Sequence, residues 1–121
     1  MRVRLIGYWR SEADDGWPDP HELIDETWDE QERDRVASYL ERGFVPWAAL
    51  GWSDCRLCGR ANGSAELTDG MYLWPEGLAH YVRDHSVRLP ADVLAHIKRR
   101  QHELESLDVD RDWWPTATGP S

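Results

Sequence analysis

"SDCRLCGRANG", residues Ser53–Gly63, is the stretch on which the fold turns. It contains the chain's only cysteines, Cys55 and Cys58, with two residues between them and Gly59 directly behind the second. A Cys-x-x-Cys turn lets two thiolates bind one ion, and a glycine there permits the backbone turn of a zinc knuckle. After 21 further residues, "HYVRDH" places His80 and His85 with four residues between them. Two histidines separated in this way at the end of a helix can supply the remaining ligands of a Cys2His2 site.

The ligand set therefore reads Cys55, Cys58, His80 and His85, holding a structural Zn2+ ion. On an ideal helix five residues advance about 140° beyond a full turn, so the helix must loosen near His85 to bring both imidazoles round. Asp84 is an alternative ligand to His85, because His80 and Asp84 are four apart and share a helix face. A thioredoxin-like pair would need Cys55 at the mouth of a helix after a buried strand, and "GRANGS" behind Cys58 is turn material instead. A catalytic zinc is a third reading. Glu66, Asp69 and Glu76 are available as bases, yet the His-x-Glu deaminase pattern and the His-Glu-x-x-His helix are both absent.

Outward from the cysteines, Ala65–Thr68 and Met71–Trp74 flank Asp69-Gly70, the strongest short-range hairpin signal. Pro75 and Glu76 suit the first turn of a helix through "EGLAHYVRDH", which carries both histidines. Leu89-Pro90 closes it. A further helix starts at "PADVLAHIKRRQHELESL", with Val93, Leu94, Ile97, Leu104 and Leu107 on one stripe. Upstream, a helix over roughly 30–42 has Asp29 as N-cap, Val36 and Leu40 inward and Gly43 as stop. "VRLIGYW" (Val3–Trp9) reads as a strand with Gly7 at a bulge or close approach, and residues 10–25 as a surface loop.

The chain has 121 residues, enough for one domain with a modest core that a metal would help to hold. Residues 1–107 are expected to form it, with 108–121 a flexible tail. Fourteen basic against 23 acidic residues give a formal net charge of −9. Such a surface repels phosphate backbones and anionic lipid, and favours a basic protein partner. A homo-oligomer is compatible with this balance. No stretch resembles a signal-peptide core or a membrane span, so a reducing cytoplasm is the expected setting, where a Cys-x-x-Cys binds metal more often than it forms a disulfide. The eight tryptophans are expected mainly in the core and under loops, the alternative being an aromatic pocket or protein-binding surface.

A DNA-reading finger presents basic and amide side chains from the start of its helix, whereas this one offers "PEGLAHYVRD". Lys98, Arg99 and Arg100 form the only basic cluster, a weak footprint for nucleic acid. His21, His96 and His102 have no partner at ligand spacing and are expected to be exposed or capping.

The block "CRLCG…NGSAELTDGMYLWPEGLAHYV…HSVRLP" (Cys55–Pro90) resembles small uncharacterised bacterial zinc-finger-like proteins built around the same Cys-x-x-Cys-Gly and His-Tyr-Val elements. It covers about a third of the chain, with "GYW", "WPDPHELID" and "PWAALG" as weaker echoes upstream. The resemblance implies a zinc-bearing domain and brings no activity with it. The ligand order is also similar to that of two-Cys, two-His fingers, but the 21-residue separation is longer than theirs.

The expectation is thus an α+β domain in which zinc pins a β-hairpin to a helix, an expanded ββα finger with flanking helices and an N-terminal strand. Its expected role is a non-catalytic interaction or regulatory module. A DNA-binding regulator and a small zinc hydrolase are the alternatives.

Overall fold

The hairpin forms where Asp69-Gly70 places it, and it becomes the centre of the molecule. A computed structural model describes residues 1–11, 15–47 and 51–119. Strands β2 (Glu66–Thr68) and β3 (Tyr72–Pro75) pair antiparallel, with Leu67 opposite Trp74 and Thr68 opposite Leu73. Asp69 Oδ1 accepts the N–H groups of Met71 and Tyr72, each at 2.9 Å, so the aspartate closes its own turn. Strand β1 (Arg4–Leu5) lies parallel to β3 on its other side, giving the sheet order β1-β3-β2.

Strand β1 is shorter than the expected Val3–Trp9. The chain leaves the sheet at Gly7, whose φ is +74°, and a Cβ there would stand 2.8 Å from the Leu78 methyls. Pro75 ends β3 and does not open the next helix, a correction with a clear cause. Its nitrogen faces the side from which β1 has already departed, so its missing N–H breaks no ladder bond.

The described residues form four α-helices: α1 (Glu30–Glu41), α2 (Leu78–His85), α3 (Ala91–Glu105) and α4 (Trp113–Thr118). The Asp29 carboxylate caps α1 by accepting the Glu32 N–H at 2.9 Å. Helix α1 packs against both α2 and α3, burying Val36, Ala37 and Leu40. Helix α2 buries Leu78, Ala79, Tyr81 and Val82, its larger apolar side chains contributing about 1.5–3 kcal/mol each. The indole of Trp74, on β3, donates to the Leu40 carbonyl at 3.0 Å and so fastens the sheet to the C-terminal end of α1.

A 3-10 turn (Pro20–Leu23) and a bridge between Ile24 and Val87 hold the expected surface loop against the segment after α2. The apolar stripe of α3 is buried at Val93, Leu94 and Ile97, but Leu104 and Leu107 are exposed. Helix α3 outruns the body it packs on, and residues 102–119 are all exposed. Within the expected tail, Trp113–Thr118 form the short α4, with both of its indoles on the surface.

The tryptophan expectation holds for Trp28 and Trp74, which are buried, and for Trp9, which packs on the core. It fails for Trp17, Trp47, Trp52, Trp113 and Trp114, all exposed. Aliphatic side chains fill most of the core in their place. Among the described residues, no helix is long and apolar enough to cross a membrane.

Candidate metal centre

The segment that carries the cysteines folds into a narrow ribbon. Asp54 bridges Ala61, the Cys55 N–H donates to the Arg60 carbonyl at 2.8 Å, and the Gly59 N–H donates to the Cys55 carbonyl at 2.7 Å. Gly59 takes φ +76°, the left-handed turn expected behind the second cysteine. Cys55 is therefore in a tight turn and not at the mouth of a helix, which removes the geometry a redox pair needs.

Two contacts seat this ribbon on α2. The Tyr81 hydroxyl accepts the Arg56 N–H at 2.8 Å, and the Asn62 side chain donates to the Gly77 carbonyl at 3.1 Å. Gly77 permits the second contact, since a Cβ there would lie 2.4 Å from the Asn62 carbonyl oxygen and closer still to its side chain. Neither contact is visible as a motif in the sequence.

Helix α2 then delivers the histidines. Its last turn is widened: the Ser86 and Val87 N–H groups both reach back to the Tyr81 carbonyl. The first of these bonds spans five residues in place of four, a π-type spacing. Ser86 terminates the helix in the left-handed region at φ 55°, with its hydroxyl accepting from Arg33 of α1 at 2.8 Å. The loosening demanded by the five-residue histidine spacing is thus built into the end of the helix.

The result is a cluster in which Cys55, Cys58, His80 and His85 each offer one ligand atom, all within 4.8 Å of one another. Such a group could hold a metal ion. His80 Nε2 is 3.2 Å from His85 Nε2 and 3.4 Å from Cys58 Sγ. A tetrahedral zinc with ordinary bond lengths has edges of about 3.3 Å between two nitrogens and about 3.6 Å between sulfur and nitrogen. The donor types fit, and so do these two separations.

Asp84, the alternative ligand, does not join the cluster. It accepts from His80 Nδ1 at 2.6 Å, which leaves Nε2 as the lone-pair nitrogen pointing at the other donors. The i,i+4 spacing that made it a rival ligand is what allows it to orient His80.

Cys55 is buried, whereas Cys58 is exposed and the two histidines lie between these extremes. The Cys58 thiol is drawn down to about 6, first by the Arg60 N–H and then by the side chains of His80, His85 and Cys55. A thiol so placed gives the thiolate that metal ligation requires.

None of the carboxylates considered as bases joins the cluster. Glu66 is bound by Tyr8 and Trp47, Glu76 accepts from the Ser64 N–H at 3.3 Å, and Asp69 lies in a separate buried network. In that network Asp69 Oδ2 receives Tyr39 at 2.5 Å and His96 Nε2 at 2.7 Å. His96 is thus buried, against the expectation that it would be exposed or capping. Its partner is 27 residues away on a different element, so no local pattern betrays the pair. His21 and His102 are exposed, as expected. In the basic cluster, Arg100 pairs with Glu103 at 2.6 Å and Arg99 turns to His96.

No protein-family model, curated protein or solved structure matches the chain.

Proposed function

We propose that the chain is a non-catalytic zinc-binding module that presents an acidic, tryptophan-bearing surface to a basic partner. The observation that carries the zinc reading is the convergence of four soft and borderline donors within 4.8 Å of one another. Bound zinc would supply shape, by crosslinking the 53–63 ribbon to α2. Four protein donors complete a tetrahedron and leave no position for a reacting water.

The residues around the cluster serve that structural task. Asp84 fixes the ring of His80, Ser86 ends the helix so that His85 turns inward, and Gly77 with Asn62 brings the two halves together. The interaction part of the reading is supported by the formal charge of −9 and by indoles left on the surface, where Trp is a frequent anchor of protein contacts.

Substitution separates this from a catalytic zinc. Cys58→Ser or His80→Ala is expected to abolish zinc retention and cooperative folding together, as read by metal analysis and thermal unfolding. A variant that lost zinc yet kept its melting transition would contradict the structural role.

A further inference from the structure

Glu66 stands apart from the metal cluster, and its surroundings are unusual for a surface carboxylate. The Tyr8 hydroxyl donates to its Oε2 and the Trp47 indole donates to its Oε1 at 3.2 Å. Burial, followed by the bond to Glu66, raises the Tyr8 pKa far above its ordinary value, so the phenol remains a donor. Beside this carboxylate is a hollow of about 290 Å³ lined by Tyr8, Trp52, Glu66, Pro75 and Glu76 together with backbone of the cysteine ribbon. Its lining includes no Lys, Arg or His, and neither Glu66 nor Glu76 has an ionic partner among the described residues.

Two carboxylates without an ionic partner among the described residues therefore share a small hollow whose lining includes Tyr8 and Trp52. A clamp holding the N-terminal segment to the hairpin would account for Tyr8 and Trp47. It would not account for Trp52, which is 78% exposed at the same hollow. Aromatic faces carry negative potential and attract cations, most strongly when the cation is large, weakly hydrated and partly desolvated. The volume suits a head group and is too small for most drug-sized ligands.

We infer that this hollow binds an alkylated ammonium group, with Tyr8 and Trp52 as its aromatic walls and Glu66 as its counter-charge. This deepens the reading of a module with a basic partner, and it rests on that reading for its biological setting alone. The group could arrive on a free quaternary amine or on a methylated lysine of a polypeptide, and the chemistry of recognition is the same.

The test uses the full zinc-loaded chain and isothermal titration with choline, with its neutral isostere 3,3-dimethylbutan-1-ol, and with a short peptide bearing trimethyl-lysine. The ammonium compounds are expected to bind at least about tenfold more tightly than the neutral isostere. Trp52→Ala and Glu66→Gln are each expected to weaken them about five- to tenfold with zinc content unchanged, and Trp52→Ala also leaves the melting temperature unchanged. A peptide preferred over choline would identify the source as a modified side chain, and equal binding would identify a free cation; both support the site. Equal binding of the isostere would overturn the proposal, as would indifference to both substitutions or silence from both ammonium probes at about 10 mM. Zinc content measured on the same sample keeps the two ideas separable, because folded protein without zinc would defeat the metal reading and leave the titration interpretable.

Discussion

Asp84 touches the proposed metal only through His80, which makes it the most discriminating single residue. If its carboxylate fixes the ring and its lone-pair nitrogen, Asp84→Asn should lower zinc affinity about 10–100-fold without unfolding the zinc-saturated protein, as measured by competition with a chromophoric chelator. An unchanged affinity would show that the ring is held by other means. Asp69 is the corresponding centre in the hairpin turn. Burial pushes its carboxyl up, but bonds from Tyr39, the Tyr72 and Met71 N–H groups and His96 outweigh this and hold it below the ordinary range. A lowered folded value means that its contribution is present above the unfolded value of about 3.9 and is lost as pH falls through the folded one. At neutral pH, Asp69→Asn should therefore destabilise by about 1–3 kcal/mol in urea unfolding, because the oxygen that receives a phenol and a buried imidazole becomes an amide nitrogen that cannot accept, while the oxygen serving the Met71 and Tyr72 N–H groups is kept. The four residues of the candidate metal cluster were legible in the sequence because donor type and spacing are local properties. The Asp69–His96 pair was not, because only the packing of α3 on the hairpin brings it together.

Elements were legible where their ends carry chemistry. Asp29 caps α1 and Asp69-Gly70 turns the hairpin, each by a bond or backbone preference confined to a few residues, whereas Gly43 at the end of α1 makes room for Leu67 and Trp74. What escaped was pairing between distant segments: the parallel partnership of β1 with β3, and the fate of Pro75, which depends on where β1 leaves the sheet. The joint between the cysteine ribbon and α2 was equally silent, although it determines whether the four ligands meet. It yields a sharp prediction. Gly77→Ala places a Cβ 2.4 Å from the Asn62 carbonyl, a backbone atom that cannot rotate away. The substitution should cost about 1–3 kcal/mol and weaken zinc binding in parallel, as seen in thermal melts run with and without added zinc. Loss of stability with full zinc affinity would mean that the ribbon and the helix find each other without this contact.

For the whole molecule, the aliphatic core beneath α1, α2 and α3 is modest for 121 residues, and five of eight tryptophans stay outside it. The net charge was legible from composition. The exposure of the indoles was not, since Trp suits cores and interaction surfaces alike. A metal joining the 53–63 ribbon to α2 would offset the small core, because binding energy at a site absent from the unfolded chain adds to folding energy. X-ray absorption at the zinc edge, on protein purified without added metal and assayed for stoichiometry, examines this most directly. The account predicts one zinc per chain with two sulfurs at about 2.3 Å and two nitrogens at about 2.0–2.1 Å, and a melting transition that collapses when a strong chelator removes the ion. A metal-free chain with the same transition, or a zinc with fewer than four protein donors, would contradict it.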